Sequence, residues 1–166
     1  MTENGRANAH AACEVRLPVQ IQGSTTFAAS PERVWELFND PEALRRATPG
    51  CERLERVGED RYEAVMSVGV AAIKGTYKGT IEIRDKEPPH RYRLAIEGSG
   101  SPGFVNIDAS MEFVPAGDGT QVNYQWDVQI GGPVAGVGQR VLGGVGRWLI
   151  GEFFKKMQEE LRADRP

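Results

Sequence analysis

Apolar and polar positions alternate through the middle of the chain, and this alternation predicts an antiparallel sheet. Apolar residues occupy nearly every second position in five stretches between residues 62 and 130, and in an earlier stretch over 19–27. A period of two is typical of strands with one buried and one solvated face. Turn-forming residues separate the stretches at 58–60, 87–89 and 117–119. With a further strand over 51–57, the pattern predicts about seven strands.

Two short helices are predicted directly after the first strand. Ser30 is a suitable N-cap because its hydroxyl can accept a backbone N–H, and Pro31 fits the first helical position. The segment 39–41 reads Asn-Asp-Pro and ends this helix, since a residue before proline avoids the α region. The second helix is expected from residue 42 to about residue 47.

The end of the chain changes to helical spacing and predicts one long helix from about residue 133 to residue 162. Its apolar stripe is formed by Ile150, Phe153, Phe154, Met157 and Leu161. Eight glycines lie between residues 131 and 151. They allow two interpretations: close packing of the helix backbone on the sheet, or a movable segment that admits a ligand. Together these elements predict an α+β fold, a curved antiparallel sheet wrapped around the long helix.

Length and charge restrict the class of protein. The 166 residues suit one domain, predicted over 19–166, while residues 1–18 lack periodicity and are expected to form a flexible tail. The formal net charge of −3 and the pI of about 5.5 argue against a nucleic-acid partner. There is no apolar run of about 20 residues for a membrane span and no secretory signal, so a cytoplasmic location is expected.

The residues that usually carry chemistry are few and scattered. The cysteines, Cys13 and Cys51, and the histidines, His10 and His90, do not have metal-ligand spacing. Cys51 has no histidine nearby as a base, so a structural cysteine is expected rather than a catalytic thiol. The acidic residues of the strands fall on outward positions, so no catalytic residue, metal or cofactor is predicted.

The order of elements resembles the helix-grip fold of the START/Bet v 1-like (SRPBCC) superfamily. Over residues 19–161 the sequence is similar, more specifically, to the carbon monoxide dehydrogenase CoxG family. The motifs that carry this resemblance are PERVWELFNDPEAL at 31–44, PGCE at 49–52, KGTYKG at 74–79, GxGxxGF at 98–104, GDGT at 117–120, the Gly-Gly segment opening the last helix and EFF at 152–154.

The resemblance implies an accessory protein of molybdenum hydroxylases of the carbon monoxide dehydrogenase type. Members of the family are linked to membrane recruitment of that enzyme and to binding of a lipophilic quinone in the cavity. Some members carry a C-terminal extension thought to touch the membrane. This sequence ends at Pro166 without one, so contact with the inner face of the membrane is expected to be peripheral at most.

An apolar cavity between sheet and helix is therefore predicted, with ordinary core packing as the alternative at each position. Its predicted lining comprises Met66, Val68, Tyr77, Met111 and Trp126 from the sheet, Val137, Val141, Val145 and Leu149 from the helix, Leu44 as a cap and Phe104 near the mouth. Because the inward residues are almost uncharged, a long apolar ligand is expected, with a quinone favoured and Tyr77 or Trp126 as hydrogen-bond donors.

The inward glycines beside Tyr77 leave a second choice open. Gly75 and Gly79 either permit curvature of the sheet or keep room for the ligand. Two other functions share the fold and remain alternatives: a polyketide cyclase/dehydratase-like enzyme, and a protein-interaction module resembling relatives of the Hsp90 co-chaperone Aha1.

Overall fold

The structure of the protein is a computed structural model that describes residues 16–69 and 73–163. Most of the predicted tail and the inward position predicted at Val70 lie outside these residues. The elements in chain order are β1 (Arg16–Phe27), α1 (Pro31–Phe38), α2 (Pro41–Ala47), β2 (Cys51–Gly58), β3 (Arg61–Val68), β4 (Gly75–Glu87), β5 (Arg91–Gly100), β6 (Gly103–Ala116), β7 (Gly119–Gly131), a 3₁₀ turn (Pro133–Val137) and α3 (Gln139–Ala163).

The seven strands form one antiparallel sheet in the order β1-β7-β6-β5-β4-β3-β2. The predicted strands and helix-grip architecture are thereby confirmed. The first strand begins at Arg16 rather than at residue 19. Its first residues were predicted to belong to the tail, but Leu17 and Pro18 pair with Ile130 and Gln129 of β7, and this long-range pairing leaves no periodic signal within the segment itself.

The two short helices begin as the sequence predicts. Ser30 caps α1 by accepting a hydrogen bond from the backbone N–H of Arg33 at 3.3 Å. Asp40 caps α2 in the same way, accepting from the N–H of Glu42 at 3.0 Å. Both helices carry proline in the first turn, where its missing N–H is not needed.

The final helix is shorter than predicted. Pro133–Val137 forms a separate 3₁₀ turn, and α3 begins only at Gln139. Between them Gly138 has a φ of +104°, a conformation outside the helical region that glycine adopts readily. The prediction of one continuous helix from residue 133 is therefore wrong, because an apolar stripe does not reveal a backbone reversal at a glycine.

A cluster of buried aromatic rings fills one end of the sheet. Phe38 of α1 lies at its centre, with ring centroids 5.5 Å from Phe27, 5.3 Å from Phe113 and 6.0 Å from Phe154. We call the closed core the buried set around these rings, which comprises Phe27, Val34, Phe38, Tyr92, Met111, Phe113, Val122, Phe154, Met157 and Leu161. The core thus joins α1, the second half of α3 and one end of the sheet.

The first half of α3 lies close against β1 at two glycines. A β-carbon at Gly146 would lie 2.7 Å from Cδ1 of Ile21, and one at Gly143 would lie 3.8 Å from Cγ1 of Val19. By contrast, a β-carbon at Gly144 or Gly151 would meet no described atom within 4 Å. Close packing therefore accounts for Gly146, whereas Gly144 and Gly151 weaken the helix without a packing reason.

Candidate functional site

The concave face of the sheet has two parts that differ in how deeply their side chains are buried. Val19 and Ile21, which face α3, pair with Val128 and Trp126, so these positions and their cross-strand partners form the concave face. Beyond the closed core, its apolar side chains are only half-buried. We call this part the open half, and it comprises Met66, Val68, Tyr77, Ile81, Leu94, Ile96, Val105, Ile107, Trp126 and Ile130.

Small residues run across the open half on three adjacent strands. Ala64 pairs with Gly79, and Gly79 pairs with Gly98. The three positions therefore form a shallow trough between the larger side chains on either side. A β-carbon at Gly79 would collide with the backbone carbonyl of Glu97, so curvature of the sheet requires this glycine. At Gly98 a β-carbon would lie 3.4 Å from Cγ1 of Val105, which is contact distance without a collision.

The predicted lining residues of the sheet do not form one cluster. Met66 and Tyr77 pair directly, and Val68 lies opposite Gly75 one step further along. Trp126 lies three strands away, at the border between the open half and the closed core.

Met111 belongs to the closed core rather than to the open half. Its side chain is 2% exposed, and its residue pairs with Tyr92 and Tyr124 on the neighbouring strands. The sequence analysis placed Met111 in the ligand cavity, and the structure places it within the closed core, so its contact with a ligand stays a prediction.

Phe104 lies on the convex face, opposite to its predicted position. It pairs with Ser99 and Gly131, one residue out of step with the inward Val105. Its ring covers Gly131 and borders a polar hollow of about 440 Å³ on that outer face, together with Lys78 and Asn106. The prediction that Phe104 stands at the mouth of the cavity is wrong, since alternation along β6 turns it outward.

The predicted helix residues divide between two settings. Val141 and Val145 line an open apolar groove of about 450 Å³ with Gly144 and Trp148. Helical spacing places Val141 and Trp148 on the side of α3 opposite to Ile150, and they are 44% and 52% exposed. Trp148 is absent from the predicted lining, although it recurs at helical spacing with Val141 and Val145.

The remaining predicted lining residues are half-buried. Leu44 of α2 and Val137 of the 3₁₀ turn are half-buried against the core cluster, and Leu149 is half-buried on α3. The predicted lining also omitted Ile81, Ile96 and Ile107, which occupy the middle of the open half. Their alternation with polar residues was the signal that could have included them.

Tyr77 and Trp126 each carry a polar group on the apolar side of the sheet. The Tyr77 hydroxyl donates a 2.8 Å hydrogen bond to the carbonyl of Ile73, and burial raises the pKa of this phenol. The indole Nε1 of Trp126 is buried, and within residues 16–69 and 73–163 it has no hydrogen-bond partner. Of the two donors expected for a ligand, Tyr77 already uses its hydrogen within the protein, while Trp126 does not.

Two ion pairs between neighbouring strands lie on the convex face. Arg93 pairs with Asp108 at 3.2 Å, and Arg61 pairs with Glu82 at 3.3 Å, all on positions that alternate away from the concave side. Burial raises the pKa of the Cys51 thiol, which disfavours the thiolate that a nucleophile needs. The described part of the chain contains no group of three or more metal-ligating side chains and no helix suited to crossing a membrane.

Solved structures similar to this one support the fold. A conserved protein from Geobacillus kaustophilus is 41% identical, with a TM-score of 0.85 and coverage of 87% of this chain and 96% of its own. A START superfamily protein from Mycobacterium smegmatis is 14% identical, with a TM-score of 0.71 over 87% of this chain and 97% of its own. A protein from Thermus thermophilus is 22% identical, with a TM-score of 0.70 over 89% of this chain and 99% of its own.

The family comparison covers most of the sequence. None of the curated proteins matches the chain. The family model for the CoxG subunit of carbon monoxide dehydrogenase matches residues 23–162, which include every strand of the sheet in whole or part and nearly all of α3. The chain therefore belongs to the carbon monoxide dehydrogenase CoxG family.

Proposed function

We propose that this protein is a non-enzymatic accessory protein of a molybdenum hydroxylase of the carbon monoxide dehydrogenase type. In this proposal it binds a lipophilic ligand, with a quinone as the leading candidate, on the open half of its sheet. The observation that carries the proposal is the contrast between the two ends of the concave face. One end is closed by aromatic rings, while the other leaves apolar side chains half-buried.

The chemistry of the open half supports an apolar ligand. Its side chains are aliphatic, thioether or aromatic, and the Arg93–Asp108 and Arg61–Glu82 pairs lie on the other face of the sheet. A charged ligand would be buried there without a partner at a cost of several kcal/mol. An isoprenoid tail would instead gain about 25 cal/mol for each Å² of apolar surface removed from water.

The trough offers a direct test of where the ligand lies. Ala64→Phe would fill the trough between Met66 and the paired glycines, whereas Val65→Phe adds the same ring on the opposite face of β3. Native mass spectrometry of the purified proteins should detect a co-purifying quinone or lipid in the wild type and in Val65→Phe. We expect Ala64→Phe to lose it.

Addition of ligand provides a second measurement. Menaquinone-type analogues should raise the melting temperature and quench tryptophan fluorescence of the wild type and of Val65→Phe, with a much weaker effect on Ala64→Phe. If the analogues neither shift the melting temperature nor quench fluorescence, the ligand proposal fails.

The accessory role needs a test of its own. A carbon monoxide dehydrogenase from the same organism should reduce a menaquinone-type acceptor faster when this protein is added, and Ala64→Phe should remove the gain. The protein alone should show no turnover of the quinone. An equal rate with and without the protein would contradict a role in delivering the quinone.

A further inference from the structure

Trp126 carries a buried hydrogen-bond donor that the described protein leaves unused. Its Nε1 has no acceptor among the residues of the described ranges. Most buried donors in native proteins are paired, so an orphaned one requires an explanation. The residues directly across from it, Ile21 and Ala109, have hydrocarbon side chains only. The fold therefore presents an unused donor at the border of the open half.

The other candidate donor does not compete for this role. The Tyr77 hydroxyl already donates to the carbonyl of Ile73 at 2.8 Å. An indole N–H, in contrast, is a donor only and cannot accept. A group that satisfies Trp126 must therefore bring a lone pair, and it must be uncharged to enter apolar surroundings at low cost.

We infer that the Trp126 N–H anchors a hydrogen-bond acceptor of the ligand, so that the site selects apolar molecules bearing a carbonyl or ether oxygen over hydrocarbons of the same shape. This inference rests on the proposed function and adds the chemical class of the ligand and the residue that reads it. Trp126 is thus a specificity-determining residue of the open half.

The acceptor must displace packed atoms to reach Nε1, because this atom has no contact with solvent. The neighbouring Ile21 pairs with Trp126 and also lies against Gly146 of α3. The first half of α3 contains Gly143, Gly144 and Gly146 and is the part of the helix with the lowest intrinsic propensity. The part of α3 nearest to this strand partner of Trp126 is therefore the part that yields most readily.

A matched pair of ligands tests the anchor. The ketone 2-undecanone and the alkene 2-methyl-1-undecene have nearly the same shape, but only the ketone has an acceptor. The protein contains three tryptophans, so indole-¹⁵N labelling gives three N–H signals, which single Trp→Phe variants assign. We expect the ketone to move the Trp126 proton downfield and the alkene to leave it nearly unchanged.

Affinities of the two ligands give an independent readout. In Trp126→Phe the ratio of ketone to alkene affinity should fall at least about fivefold, since the buried carbonyl then lacks a donor. The affinity of the alkene corrects for any loss of apolar contact that results from the smaller ring of phenylalanine. Trp35→Phe removes an indole that packs against the closed core, with its ring centroid 5.3 Å from that of Tyr92, and should keep the wild-type ratio.

The outcomes separate the two proposals. If both ligands bind the wild type but the ketone leaves the Trp126 signal unmoved, the anchor role is wrong even though an apolar site exists. An unchanged ratio in Trp126→Phe leads to the same conclusion. If neither ligand binds, the proposed function itself fails. The labelling experiment uses the wild-type chain, so it decides the question even where Trp126→Phe folds poorly.

Discussion

Gly146 and Ile21 lie so close that a β-carbon on residue 146 would come within 2.7 Å of Ile21 Cδ1. This contact holds the first half of α3 against β1. At Gly144, two residues earlier, a β-carbon would meet no described atom within 4 Å. The two glycines of this helix thus differ in their surroundings, and substitution of each by alanine should change the stability of the protein differently.

Gly144→Ala should raise the free energy of unfolding by about 1 kcal/mol, because alanine is favoured over glycine in a helix interior. In Gly146→Ala the same gain is offset by overlap with Ile21, since added volume in a packed site costs about 1–3 kcal/mol. Urea unfolding followed by circular dichroism measures both. Equal stabilisation by the two variants would show that the Gly146–Ile21 contact yields easily.

Phe38→Ala should destabilise the protein by about 3–5 kcal/mol, because it leaves a cavity among the rings of the closed core. Phe38 is 1% exposed and lies within 6.0 Å of the ring centroid of Phe153. Val141→Ala, at a side chain that is 44% exposed, should change stability by less than about 0.5 kcal/mol. A small effect at Phe38 in urea unfolding would contradict the division into a closed core and an open half.

Tyr77→Phe should lower the free energy of unfolding by about 1 kcal/mol, since it removes the hydrogen bond to the carbonyl of Ile73. Thr76 is exposed on the other face of β4, so Thr76→Ser serves as the control and should stay close to the wild type. Denaturant unfolding compares the three proteins. Wild-type stability in Tyr77→Phe would mean that this bond gives no net stabilisation.

Stability should fall at high pH through Tyr92. Burial raises the pKa of this phenol well above its ordinary value of 10.0. The unfolded chain therefore releases the proton first, so it binds fewer protons than the folded chain above pH 10 and stability decreases as pH rises. The contribution is fully present below about pH 10 and is lost as the pH climbs toward the pKa of the folded state.

The control for this effect is Tyr92→Phe, which keeps the ring in the closed core. Its melting temperature should decline less steeply than that of the wild type between about pH 9 and pH 11. This range extends about one unit to either side of the ordinary phenol pKa. Parallel curves for the two proteins would place the alkaline sensitivity elsewhere, for example at Tyr77, whose pKa is also raised by burial.

The family and the architecture could be predicted from the sequence because their signals are local. Alternation at every second residue predicts a strand wherever it occurs, and the Ser30 and Asp40 caps act on backbone groups two or three residues away. The resemblance motifs also lie in continuous segments. Seven strands, two short helices and a C-terminal helix therefore followed without knowledge of any long-range contact.

The face of each residue near a strand end depended on exact register. Phe104 lies one position from the inward Val105, and the sequence did not show that the GxGxxGF segment places its phenylalanine on the outer row. The break between the 3₁₀ turn and α3 at Gly138 was also not predictable from the sequence. Glycine is compatible both with a helix and with a positive φ, so its presence does not show which one occurs.

The sequence by itself determined the elements, the inward apolar rows and the near absence of inward charge. Only the tertiary structure decided which inward residues are enclosed and which stay half-buried, because burial depends on elements distant in the chain, such as Phe38 beside Phe154 or Ile21 beneath Gly146. It also distinguished the surroundings of the two expected donors: Tyr77 reaches a nearby carbonyl, whereas Trp126 lies between hydrocarbon neighbours of other strands, a relationship that no local pattern encodes.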